Sequence, residues 1–238
     1  MKLDVLAFGA HPDDIELGCG GTLIKCVQQG YKVGMIDLTR GELGSRGTVD
    51  IRDAESLAAQ KIIGAVVREN LNLRDGFFQN DEASQLKVLT AIRKYQPDVV
   101  FCNALFDRHP DHGRSAQLVE DASFLSGLTK IKTTENGEEQ KAFRPRLVLH
   151  YIQAMTMKPD IVIDVTDVWD KKMQSILVHK SQFYDPNSTE PETYIASKEF
   201  IETVDDRAAE MGRSCGFRLA EGFVSKRILG VKGLFELV

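Results

Sequence analysis

The chain has no C-x-x-C pair. Its four cysteines (Cys19, Cys26, Cys102, Cys215) are scattered over 238 residues, which argues against a disulfide framework or a thiolate metal site and fits reduced thiols in a cytoplasmic protein. Cys19 reads as a small buried residue. Long apolar runs are also missing: nothing reaches the ~18 residues that would cross a bilayer. The opening stretch MKLDVLAFGAHPDD is interrupted by Asp4, and no A-x-A site follows it, so it reads as a strand and not as a signal peptide. Positive charge is in short supply. With 30 Lys and Arg against 35 Asp and Glu, the formal charge is -5, which counts against non-specific nucleic-acid binding.

Neither G-x-G-x-x-G nor G-x-x-x-x-G-K-[ST] occurs. Gly18, Gly20 and Gly21 follow a turn rich in carboxylates, which would repel a phosphate, so dinucleotide binding is disfavoured. Those glycines are expected to let a helix pack close to a sheet. There is no internal repeat and no interdomain linker, and residues 1–238 read as a single domain.

What remains is an ordinary globular composition, 42% hydrophobic and 27% charged, arranged as alternating strand and helix. Strands are expected at 3–10, 32–39, 66–73, 98–104, 146–153 and 160–166. Helices are expected from near Gly20 to Gly30, and over 51–63, 81–96, 112–126, 168–182 (with Asp167 as a possible cap) and 195–212. The polar segment 129–143 reads as an exposed excursion, 184–194 as a turn-rich surface loop, and the last stretch as a mixed C-terminal portion. The fold class is α/β: a Rossmann-like, doubly wound, mainly parallel sheet ordered 3-2-1-4-5.

Two segments stand out against this background. GAHPDDIELGCGG (9–21) joins the first strand to a glycine-rich helix, and RHPDHG (108–113) follows the fourth. Three of the five histidines, His11, His109 and His112, lie in these segments. In open α/β sheets ligands bind beyond the carboxyl ends of the strands, where strand order reverses. In the expected order strands 1 and 4 are neighbours there, so both segments would emerge side by side. Imidazole and carboxylate together suit Zn²⁺, Fe²⁺ or a related divalent metal. Two histidines and one aspartate meet the ligand count of a catalytic zinc, with a second aspartate left to accept a proton. Either segment alone would be ordinary turn chemistry. His150 and His179 have no such company and read as structural or surface histidines.

At Ala10-His11-Pro12-Asp13-Asp14 and His109-Pro110-Asp111-His112 the chain resembles the PIG-L/LmbE-like family of metal-dependent N-deacetylases. The likeness extends to Thr39-Arg40-Gly41-Glu42 with Gly44, and to Arg52 and Glu55. Within that family it is most similar to the bacillithiol-biosynthesis deacetylases acting on N-acetylglucosaminyl-malate, through the TRGELGSRGT loop, LRDGFF (73–78) and LVHKSQF (177–183).

The resemblance implies a zinc enzyme with His11, Asp14 and His112 as ligands. Asp13 would be the general base for the activated water, and a protonated His109 would stabilise the oxyanion or protonate the leaving amine, with Asp111 orienting it. Arg52 and Glu42 would contact substrate, Arg52 holding an anion such as the malate carboxylate unless it pairs with Glu55. The family also implies homo-oligomers, trimers or hexamers, with no membrane or nucleic-acid partner. Rival readings are a deacetylase of another GlcNAc substrate such as a chitobiose-type sugar, a Rossmann-type nucleotide enzyme, and a non-catalytic metal- or ligand-binding module.

Overall fold

Alternation of apolar strands and helices carries the chain through four successive βα units before the pattern changes. The computed structural model describes residues 1–237. In chain order the elements are β1 (Val5–Gly9), α1 (Asp14–Gln28), β2 (Val33–Asp37), α2 (Val49–Ile63), β3 (Val67–Asn70), α3 (Glu82–Tyr95), β4 (Val99–Cys102) and α4 (Pro110–Leu125). There follow β5 (Thr134–Glu135), β6 (Glu138–Glu139), β7 (Leu147–Tyr151), β8 (Ile161–Asp164), α5 (Trp169–Leu177), α6 (Lys198–Arg213) and β9 (Ala220–Val224). β1 and β2 are buried along their whole length, as befits strands covered by helices on both faces.

The sheet has seven strands in the order β3-β2-β1-β4-β7-β9-β8. From β3 to β7 all pairings are parallel, whereas β9 runs antiparallel to both β7 and β8. The expected order 3-2-1-4-5 matches the sheet only as far as β7, the fifth expected strand, and leaves out β9 and β8 beyond it. The C-terminal strand β9 inserts between β7 and β8, and it escaped sequence reading because a charge, Glu221, sits in its middle. That carboxylate is 4% exposed. It accepts from the backbone N–H groups of Gly21 and Thr22 and pairs with the buried Lys172 of α5, which also donates to Leu17 O at 3.0 Å. A buried ion pair is tolerable only when its remaining lone pairs and protons are used in this way.

One face of the sheet is covered by α1, α2, α5 and α6, with Ile15, Leu23, Ile63, Ile176, Phe200 and Val204 in its core. The other is covered by α3 and α4, with Leu89, Ile92, Leu118 and Val119. Thr48 and Asp81 cap α2 and α3 by accepting from Ile51 N–H and Ser84 N–H, each satisfying one orphan donor of a first turn.

Several boundaries differ from expectation. Helix α1 starts at Asp14, not near Gly20, so Gly18, Gly20 and Gly21 lie inside it. Asp167 does not cap α5: it lies in a short 3₁₀ turn, Thr166–Val168, and pairs with Lys25 instead. The segment 129–143 is not a plain excursion, for it holds the β5–β6 hairpin, turned through Asn136 and Gly137 at φ 51 and 84, the Asn-Gly signature of a type I′ turn.

The α1 glycines do allow close packing, as the sequence suggested. A Cβ on Gly18 would stand 2.1 Å from Cδ2 of Tyr151, whose ring is fully buried and whose hydroxyl donates to Phe8 O at 2.8 Å. Gly18→Ala gains about 1 kcal/mol of helix propensity, but an overlap forced into a packed core costs about 1–3 kcal/mol or more. With the ring fixed at both ends, the clash should win and the urea midpoint should fall. An unchanged or raised midpoint would show that the ring can give way.

Candidate active site

β1 pairs with β4 in parallel register, Val5 beside Val99 and Ala7 beside Phe101, so the two histidine segments leave the sheet next to one another. The ring of His11 lies 4.6 Å from that of His109 and 5.6 Å from that of His112, centroid to centroid. The local chain explains the positions. His109 is the N-cap of α4 with Pro110 behind it, its Nδ1 accepting from Asp111 N–H at 3.2 Å, and this places His112 on the first turn of α4. Asp13 is the N-cap of α1 at φ 119, a conformation that costs a non-glycine residue about 1–3 kcal/mol. The kink sends the adjacent carboxylates of Asp13 and Asp14 different ways.

Three side chains converge through specific atoms. Asp14 Oδ2 is 3.5 Å from His11 Nδ1, and Asp14 Oδ1 is 3.1 Å from His112 Nε2. The second nitrogen of each imidazole is held by a carboxylate: His11 Nε2 by Asp75 at 3.0 Å and Asp111 at 3.3 Å, His112 Nδ1 by Asp107 at 2.6 Å. Such partners fix the tautomer of a metal-binding histidine and turn its free lone pair inward.

Burial would lower the affinity of His11 for a proton, but hydrogen bonds to Asp111, Asp14 and Asp75 hold it well above the ordinary imidazole range. His112, likewise buried, is lifted to about 9 by the charge of Asp14 and the bond to Asp107. Asp14 would be raised by its burial, yet His112 and His11 hold it well below the usual carboxylate range. As it stands this cluster calls for positive charge, which protons supply and a divalent cation on the same lone pairs would supply in their place.

Among the described residues, two groups of side chains have ligand atoms close enough together for one ion: His11 with His109 and His112, and His11 with Asp75 and Asp111. In the second, the carboxylates also hold backbone and arginine donors, and Asp75 lines the same cavity as the histidines. Asp75 Oδ2 accepts from Leu43 N–H, and Asp111 accepts from Gly76 N–H and from Arg114. These two carboxylates orient His11. The histidine side opens, together with Asp13 and Asp14, onto a cavity of about 240 Å³.

Asp13 is 5% exposed. Burial pushes its carboxyl up to about 6, against the pull of Arg52, 3.5 Å away, a value suited to accepting a proton near neutrality. Burial, with the charges of His11 and His112, holds His109 below the ordinary histidine range. That direction works against the protonated His109 expected from the sequence. Because Nδ1 accepts from Asp111 N–H, the neutral ring carries its proton on Nε2. Asp111 holds His109 through its backbone N–H, while its carboxylate positions His11.

Both expected substrate contacts also have other work. Arg52 is 4% exposed, and its two Nη atoms donate to Gly41 O and Pro12 O at 3.0 Å each and face Asp13. It fastens the glycine-rich loop to the Asp13 turn instead of awaiting a substrate anion, and its alternative partner Glu55 binds Ser181. Glu42 is exposed and accepts from Asp75 N–H at 2.8 Å, so it supports the turn that carries Asp75.

Four contributors were missed in the sequence. Asp75 and Asp107 hold the two histidines. Asn103 and Gln153 donate to Asp14 at 3.1 and 2.9 Å. Asn103 and Gln153 follow β4 and β7, at the same sheet edge as the motifs, which is the signal that was available. His150 and His179 are structural, as one of the two readings had it, and both are fully buried rather than on the surface.

Asp107→Asn keeps the shape of the second ring's partner and removes its charge. We expect metal affinity, read by competition with a chelator, to fall by about 10- to 100-fold with the fold intact. Unchanged affinity would mean that His112 is not a ligand.

Comparison with known proteins agrees with this geometry. Residues 6–123 match the family model described as PIG-L: GlcNAc-PI de-N-acetylase. A diacetylchitobiose deacetylase of Thermococcus kodakarensis is 27% identical over 232 residues, 92% of this chain and 81% of that one. A probable N-acetyl-alpha-D-glucosaminyl L-malate deacetylase of Bacillus cereus is 25% identical, over 76% of this chain and 84% of that one. A 4-oxalmesaconate hydratase of Pseudomonas putida is 27% identical, over 72% and 70% respectively, so similarity of this order also spans a different reaction. Among solved structures, the conserved protein TT1542 of Thermus thermophilus superposes with a TM-score of 0.85 at 33% identity, covering 97% of this chain and 98% of that one. Motifs, strand ends and near full-length likeness coincide, and the chain belongs to the PIG-L family.

Proposed function

We propose that this protein is a metal-dependent N-deacetylase that removes acetate from an N-acetylglucosamine conjugate, with N-acetylglucosaminyl-malate as the preferred substrate. The observation that carries the reading is the convergence of His11 Nδ1, Asp14 and His112 Nε2 beside the carboxylate of Asp13, which lines the same cavity and whose charge partner is Arg52. A base beside the candidate metal ligands, with His109 as a donor to the developing oxyanion, favours amide hydrolysis over a plain metal-binding module. A chitobiose-type substrate is the second reading, favoured by the longer alignment with the Thermococcus deacetylase.

His11, Asp14 and His112 would hold the cation, zinc by the chemistry of its donors. When bound, it supplies Lewis acidity and lowers the pKa of water toward neutrality. Asp13 takes the proton from the water that attacks the acetamide carbonyl, and Arg52 and the kinked backbone keep its carboxylate on the cavity side. The neutral His109 donates from Nε2 to the oxygen that becomes negative in the tetrahedral state, a stabilisation realised mainly in the transition state. Asp13, now protonated, returns its proton to the departing amine. Asp75, Asp111 and Asp107 do no chemistry: they hold the tautomers of His11 and His112.

No helix among the described residues is long and apolar enough to cross a membrane. A cytoplasmic location and a homo-oligomeric assembly, trimer or hexamer, complete the proposed reading, and light scattering tests the assembly.

Asp13→Ala should retain one metal per chain and lose about 10²- to 10⁴-fold in kcat, whereas His11→Ala should lose the metal itself. Full activity of metal-loaded Asp13→Ala would remove the base assignment. Acetate release from a panel of GlcNAc conjugates, malate included, should vanish with chelator and return with added metal. Release that is indifferent to chelator would exclude the proposed chemistry.

A further inference from the structure

Most arginines near the cavity are spoken for. Arg52 is fixed by Gly41 O, Pro12 O and Asp13, Arg46 by Ser181 O, Pro191 O and Ser188, Arg68 by Asp37 and Glu16, and Arg114 by Asp111 and Gly76 O. Arg207, on α6, is different. It lines the same cavity as His11, Asp13 and Asp14, yet among the described residues its guanidinium has no hydrogen bond and no ion pair. The groups that act on its charge are Tyr194, whose ring Arg108 already covers, and Asp107, which is committed to His112 Nδ1 and Met155 N–H. Burial lowers the proton affinity of Arg207 below the ordinary arginine range, the signature of a cation that has lost water and gained no partner. Arg108, also on the cavity, is exposed to solvent and lies over the ring of Tyr194, 4.3 Å from its centroid, so it does not share that deficit.

A guanidinium kept half-buried without a counter-charge is costly unless its partner arrives with the ligand. Its planar fork matches the two oxygens of a carboxylate or phosphate. We infer that Arg207 is a specificity-determining residue that selects substrates carrying an anion on the group attached to the amino sugar. This rests on the deacetylase reading above and narrows its substrate class: an acetylated amino sugar with an acidic aglycone, and not a neutral oligosaccharide.

The test compares wild type, Arg207→Gln and Arg207→Lys on three substrates: N-acetylglucosaminyl-malate, N-acetylglucosamine 1-phosphate and neutral diacetylchitobiose. Removing a charge-assisted contact should raise KM for the acidic substrates about 10- to 100-fold, leave kcat within about twofold, and leave the neutral substrate unchanged. Arg207→Lys should recover part of the loss. Which acid suffers more distinguishes carboxylate from phosphate. Equal losses on acidic and neutral substrates, or no loss on either acid, would overturn the assignment.

Binding of glucosyl malate, which has no acetamide, read by calorimetry against neutral methyl glucoside, decides the point without turnover. Wild type should prefer the acid and Arg207→Gln should not; the same affinity in both proteins would overturn the inference. Arg207-dependent binding without acetate release from any substrate would sink the deacetylase reading alone.

Discussion

A buried carboxylate organises this molecule. Asp14 is 3% exposed, and every direction around it is occupied by a donor or an imidazole. The His11 backbone N–H donates to it, Asn103 reaches it from the end of β4 and Gln153 from beyond β7, and His11 and His112 face it. An ionised carboxylate survives burial only in such company. Satisfying it draws the ends of three neighbouring strands and the first turn of α4 to a single point. Asn103 extends the constraint, accepting from Ala10 N–H and Ser115 while it donates to Asp14 and Gln153. The sheet topology and the chemistry are thus one arrangement seen from two sides.

Around that point, neighbouring residues of one type are given different work by their environments. Asp13 and Asp14 are adjacent in sequence, yet one is pushed up toward neutrality by burial and the other is held down by imidazoles. The positive φ of Asp13 makes the separation possible, and Arg52 steadies the turn from the glycine-rich loop. Gly41 has to be glycine here: it sits at φ 64, and a Cβ would come within 2.0 Å of Arg52 Nη1. The loop's glycines therefore make room for an arginine packed beneath the candidate active site.

The parts of the fold and site that were legible share a property: they depend on local pattern or on the order of strands. The two histidine segments could be brought together from sequence because strands 1 and 4 are neighbours in a doubly wound sheet, whereas the choice of His11, Asp14 and His112 within them came from the family resemblance. What was not legible depends on partners distant in sequence. Nothing near Glu221 reveals that Lys172 will neutralise it, so β9 was hidden, and with it the true strand order. Nothing near Arg52 reveals that Gly41 O and Pro12 O will occupy its guanidinium, and nothing near Asp111 shows that its carboxylate turns to His11 and away from His109. The start of α1 was misplaced for a different reason. Three glycines look like a helix boundary until the ring of Tyr151 and the side chain of Val165 fill the space they leave.

The central claim is that Asp14 and two histidines form a metal centre on which Asp13 acts without being a ligand. The most direct measurement is anomalous diffraction at the zinc edge from crystals of the metal-loaded protein. The geometry predicts a single strong peak at about 2.0–2.2 Å from His11 Nδ1, an Asp14 oxygen and His112 Nε2, with Asp13 outside bonding distance. A peak seated between His11 Nε2, Asp75 and Asp111, or one bonded to Asp13, would contradict it.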